Sequence, residues 1–115
     1  MTKMNEITEI KAIVDEHFTD VANWLARQQS ACRTLEDVDA VFATAQRRAE
    51  QGLTKLNEIE ASADQQEHLD IVRAMFDRQI AVYNYGAKRN YKKSVKLAKR
   101  AEKLSFAYER RLKGK

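Results

Sequence analysis

Proline is absent from the chain and glycine occurs only at Gly52, Gly86 and Gly114. An all-β or doubly wound α/β fold would need turn residues every ten positions or so, which leaves an all-helical reading. Cys32 is the single cysteine, so neither an internal disulfide nor a cysteine-rich metal site can form. No run approaches the roughly 18 consecutive apolar residues of a membrane span. The opening residues Met1 to Glu6 carry no apolar signal region. The expected setting is therefore cytoplasmic, with no membrane partner. The 115 residues suffice for one core, and residues 1–115 are read as a single helical-bundle domain with a basic C-terminal segment, 86–115.

What is present is helical periodicity. Met4, Ile7, Ile10, Val14, Phe18, Val21 and Leu25 advance in threes and fours, predicting a first amphipathic helix over about 3–29. Ile13, His17 and Trp24 widen its apolar arc. Thr34, three residues before Asp37, reads as an N-cap for a second helix over about 35–60. Its stripe is Leu35, Val38, Phe42, Ala45, Ala49, Leu53, Leu56 and Ile59. Ala45, Ala49 and Gly52 make a small-residue patch that either tolerates a glycine or lets another helix approach closely. Ser62 followed by Gln65 has capping-box spacing and starts a third helix over about 64–84.

The third helix has Leu69, Val72, Phe76, Ile80 and Tyr83 on one face and Ile71, Met75 and Val82 on another. Two apolar faces need two covers. Either the helix is central in the bundle, or Ile71, Met75 and Val82 form a self-association surface and the protein is a homodimer. Gly86 is placed to close this helix in the left-handed conformation. A fourth helix over about 88–112 turns Tyr91, Ser94, Leu97, Ala98, Ala101, Leu104, Ser105, Tyr108 and Leu112 inward. The architecture expected is an up-and-down four-helix bundle of two consecutive hairpins with coiled-coil-like packing. Fusion of the third and fourth helices into one rod, in a dimer, is the alternative.

Charge is divided unevenly along the chain. Residues 86–115 hold 12 Lys and Arg against Glu102 and Glu109, net +10, whereas residues 1–85 hold 9 basic and 15 acidic residues, net −6. Helical projection puts Lys88, Lys92, Lys96, Lys99, Lys103 and Arg110 on one strip, flanked by Lys93 and Arg100, with Phe106 on the strip itself. A solvated face balanced by acidic neighbours is one reading. A polyanion site, for RNA or DNA without strong sequence preference, is the other. An exposed Phe106 among cations could stack on an unpaired base. A protein adaptor or chaperone role, using the second face of the third helix or an acidic partner on the strip, is the alternative function.

Catalytic patterns are missing. The residues three before His17 and His68 are Val14 and Gln65, which excludes the Glu-x-x-His pairs of di-iron bundles. His17 reads as a packing residue and His68 as a solvated one. Cys32 has Arg33 beside it but no histidine base near in sequence. Glycine-rich phosphate loops and zinc-helix motifs are also absent. The expectation is a protein that is not an enzyme and carries no cofactor and no metal.

Overall fold

The computed structural model describes residues 2–113, with side chains from residue 6 onward. Met4, the expected start of the first apolar stripe, lies outside the described side chains. Four helices account for nearly all of the chain, with no strand among the described residues. Helix α1 runs continuously over residues 2–31 as an α-helical segment Thr2–Val14, a π turn Asp15–Thr19 and a second α-helical segment Asp20–Ala31. Helix α2 is Leu35–Asn57; α3 is Gln66–Ala87, preceded by a 3-10 turn Ala63–Gln65; α4 is Tyr91–Lys113. At 1.5 Å per residue α1 is about 45 Å long. It therefore spans most of the 49 Å long axis of a molecule 21 by 20 Å across.

Two core clusters stacked along that axis reveal the topology. One joins Ile10, Ile13 and Val14 early in α1, Leu56 late in α2, Leu69, Val72, Met75 and Phe76 early in α3, and Tyr108 late in α4. The other joins Val21 and Leu25 late in α1, Phe42, Ala45 and Ala49 early in α2, and Val82 and Tyr83 late in α3, with Leu97 and Ala98 of α4 against them. Early halves meet late halves alternately, so the helices run up, down, up and down. Consecutive helices pack most closely.

Between the clusters the small-residue patch of α2 receives α1. A Cβ built on Gly52 would overlap the His17 side chain and come within 2.6 Å of Phe76 Cε2. Glycine is needed here for close approach. The π turn is closed by the Asp20 N–H donating to the Asp15 carbonyl. It rotates buried His17 against α2, where Nδ1 donates to the Arg48 carbonyl at 2.9 Å. Phe18 then meets the Phe76 ring at 5.5 Å.

Several local expectations change in the folded chain. Thr34 and Asp37 do form a reciprocal capping box on α2. Ser62 does not cap α3, because its N–H and hydroxyl both donate to the Glu6 carboxylate of α1, at 2.9 and 3.0 Å. Leu35 belongs to the α2 stripe in sequence but stands exposed at the bundle end. His68 is buried rather than solvated, its ring stacked on Tyr108 at 5.3 Å.

The self-association face is corrected by burial: Met75 is 1% exposed and Val82 7% exposed. Ile71 is half-buried against the first cluster. Helix α3 touches every other helix, so its second apolar face is covered within the chain.

The α3–α4 junction also departs from expectation. Helix α3 passes through Gly86 and ends at Ala87, and the left-handed residue is Arg89, φ 63°. The Asn90 N–H donates to the Tyr85 carbonyl at 2.9 Å and the Arg89 N–H to Gly86 at 3.0 Å, the two bonds of a Schellman closure. The break rules out a fused rod and starts α4 three residues later than expected. Gly86 instead makes room for an aromatic ring, since a Cβ there would lie 2.5 Å from the Phe42 ring.

Candidate polyanion-binding face on helix α4

The inward side of α4 is narrow and small. Ser94, Ala98, Ala101 and Ser105 let the backbone lie close on α3. The buried Ser94 hydroxyl donates to the Val82 carbonyl at 2.8 Å, fixing the rotation of α4 about its axis. Asn90 caps the helix, its Oδ1 accepting from the Lys93 N–H at 3.3 Å. With Ala101 and Tyr108 also turned inward, the opposite side of the cylinder must face solvent.

Lys92, Lys96, Lys99, Lys103, Phe106 and Arg110 occupy that outward side and are all exposed. Arg100 and Lys93 are exposed on one flank. Lys88 lies in the connector as the C-cap of α3, beside the strip rather than on its helix. Tyr91, expected inward, is partly exposed at the N-terminal end with its ring 6.4 Å from that of Phe42. Ile71, Met75 and Val82 are not part of this surface.

Neighbouring helices neutralise only the margins of the basic segment. Arg89 forms a two-pronged pair with Asp39, Nη2–Oδ2 3.0 Å and Nε–Oδ1 3.3 Å, and Glu36 lies 3.9 Å away. The Asp39 hydrogen bond raises the already high Arg89 pKa further. Arg111 reaches Glu67 at 3.5 Å. Lys93 sits over the Tyr85 ring, 4.5 Å from its centre, and lowers the Tyr85 pKa from the ordinary phenol value. Among the described residues, Lys92, Lys96, Lys99, Arg100, Lys103 and Arg110 have no acidic partner within ion-pair distance.

The first half of this arrangement opposes helix stability, whereas Arg110, Arg111 and Lys113 in the last turn suit the helix dipole. The first turn of α4 holds Lys92 and Lys93 and no acid, where the helix dipole disfavours cations by about 0.3–1 kcal/mol each. Lys92–Lys96, Lys96–Arg100 and Lys99–Lys103 are like-charge i,i+4 pairs, each unfavourable by about 0.2–0.5 kcal/mol.

Sequence reasoning overlooked one residue of this face. Val95 is 55% exposed and Phe106 50% exposed, so two apolar side chains stand among the lysines. The signal was available, since Val95 projects away from Ser94, Ala98 and Ala101 at helical spacing. A shallow groove lined by Tyr91, Lys92, Val95, Lys96 and Lys99 runs beside it.

The residues with catalytic or ligating side chains lie elsewhere. His17 Nε2 is 3.1 Å from Lys55 Nζ and 3.4 Å from the Glu16 carboxylate. With Nδ1 donating to the Arg48 carbonyl and Nε2 lying between Lys55 and Glu16, both nitrogens are accounted for within the packing of α1 on α2. Cys32 ends α1, and its thiol donates to the Gln28 carbonyl at 3.2 Å. Among the described residues no group of three or more His, Cys, Asp and Glu is placed to hold a metal ion. No described helix is long and apolar enough to cross a membrane. Comparison with protein-family models, with curated proteins and with solved structures finds no match.

Proposed function

We propose that this is a non-catalytic helical-bundle protein that binds nucleic acid, without strong sequence preference, through the outward face of α4. The observation that carries the reading is the row of six exposed cations, Lys92, Lys96, Lys99, Arg100, Lys103 and Arg110, with no acidic partner among the described residues. A row of like charges whose lysines crowd one another along the first turns of the helix, and which is nonetheless held outward by the Ser94–Val82 bond, is accounted for by a ligand of opposite charge. Phosphate backbones supply such charge at regular intervals along a line. The adaptor reading has lost its α3 surface to the core. Its remaining form is an acidic protein on the same strip.

Fluorescence anisotropy across a salt series tests the proposal. The logarithm of the binding constant should fall linearly with the logarithm of salt, by about 0.9 per duplex phosphate contacted or about 0.7 per single-strand contact. Replacing Lys96 and Lys99 by Gln should weaken binding to all sequences alike and make the slope shallower by roughly one to two units. Absence of binding to RNA and DNA at about 50 mM salt would overturn the proposal, because counterion release is strongest at low salt. The acidic-protein reading would then stand in front.

A further inference from the structure

Resting on that reading, we infer that the α4 face is built for a single strand rather than a duplex, with the phosphates along the lysine line and the bases turned toward Val95 and Phe106. The outward face is not symmetrical. Projected from the observed helix, Lys92, Lys99, Lys103 and Arg110 mark the midline, Lys93, Lys96 and Arg100 lie to one side, and Val95, Glu102, Phe106 and Glu109 lie to the other, joined only in the last turn by Lys113. The only two acidic residues of the basic segment are thus gathered on one flank.

That division decides between the two ligand forms. A helix seated in a duplex groove has a phosphate wall on each side. Here one wall would meet cations, and the other would meet Glu102 and Glu109 before reaching Lys113 in the last turn. A single strand presents one line of phosphates, which the midline and the Arg100 flank accommodate while the carboxylates stay clear of it. Its bases need an apolar platform instead, and Phe106 and Val95 are the most exposed apolar groups on the flank away from Arg100, Tyr91 there being turned toward the Phe42 ring. They stand eleven residues apart, about 16 Å along the axis, so each serves a different base. Neither has a role in the core, since each leaves half or more of its surface in solvent.

The experiment compares one short oligonucleotide as a single strand and as its duplex, by anisotropy at fixed low salt, with a thermal melt of every variant. Wild type should bind the single strand several-fold more tightly. Phe106→Ala should weaken single-strand binding about five-fold or more and leave duplex binding unchanged. Val95→Ser should act in the same direction with a smaller effect. Glu102→Gln with Glu109→Gln should strengthen duplex binding more than single-strand binding and so narrow the preference. These positions are exposed, so melting temperatures should stay close to wild type, and loss of binding at an unchanged melt reports on the face itself. Duplex binding as tight as single-strand binding, or an unaltered single-strand affinity in Phe106→Ala, overturns the inference while leaving the broader proposal intact. Binding to neither form, with binding to polyglutamate instead, overturns both.

Discussion

Arg89 and Asp39, fifty residues apart, form a two-pronged ion pair that ties the left-handed residue of the α3–α4 junction to the first turns of α2. A left-handed backbone costs an L-residue about 1–2 kcal/mol that glycine avoids. The exposed pair returns about 0.2–1 kcal/mol. Arg89→Gly should therefore leave stability unchanged or raise it by up to about 1 kcal/mol. Asp39→Asn should destabilise wild type by up to about 1 kcal/mol and have no effect in the Arg89→Gly background. Urea denaturation of the four proteins checks this, and additive effects would mean the pair contributes nothing.

Both buried glycines are sites of close approach, but they face different obstacles. Gly52→Ala drives a methyl into the His17 side chain near its backbone, where little can yield. It should destabilise by about 1–3 kcal/mol despite the better helix propensity of alanine. Gly86→Ala first meets the Phe42 ring, a side chain that can turn. Its penalty should be relieved when combined with Phe42→Leu, whereas Gly52→Ala should not be. Equal behaviour of the two in denaturant titrations would contradict the assigned contacts.

The α2 cap gives a pH signature. Backbone N–H groups of Arg33 and Thr34 donate to the Asp37 carboxylate and lower its pKa below 3.8. A carboxylate with a lowered folded pKa adds stability above its unfolded value, and that contribution disappears as pH falls through the folded one. Asp37→Asn should be less stable than wild type at neutral pH, with the difference fading once pH falls under 3.8 and through the lowered folded pKa. Thr34→Ala should cost about 1 kcal/mol at neutral pH. Thermal melts against pH distinguish them.

Tyr108 behaves oppositely at the alkaline end. Burial pushes its hydroxyl from 10.0 to about 12, with the Asp15 and Glu109 charges adding to the effect. The hydroxyl has no hydrogen-bond partner among the described residues. A group with a raised folded pKa contributes stability below its unfolded value, lost as pH rises from 10 through about 12. Tyr108→Phe should match or exceed wild-type stability at pH near 7 and lose less of it above pH 10. A steeper alkaline loss in Tyr108→Phe would refute the placement.

Much of this architecture depends on residues within a turn or two of each other, and that part is determined by the sequence alone. Threes-and-fours spacing specifies four amphipathic helices, Thr34 and Asp37 specify the start of α2, and the +10 segment specifies which helix is basic. The strip from Lys92 to Arg110 was legible because one helix presents it and its opposite side is apolar or small. Long-range packing decided the rest. Whether Met75 and Val82 face a partner or the core depends on how many helices surround α3. Ser62 is taken by Glu6, 56 residues away, and His17 is turned inward by a π turn onto the face of α2 that Gly52 leaves open. The closing residue is Arg89 rather than Gly86, which packs against Phe42 inside the helix, and Arg89 reaches Asp39 across the bundle. A capping motif or a stop signal states what a segment can do; the side chains that reach it from other helices decide what it does.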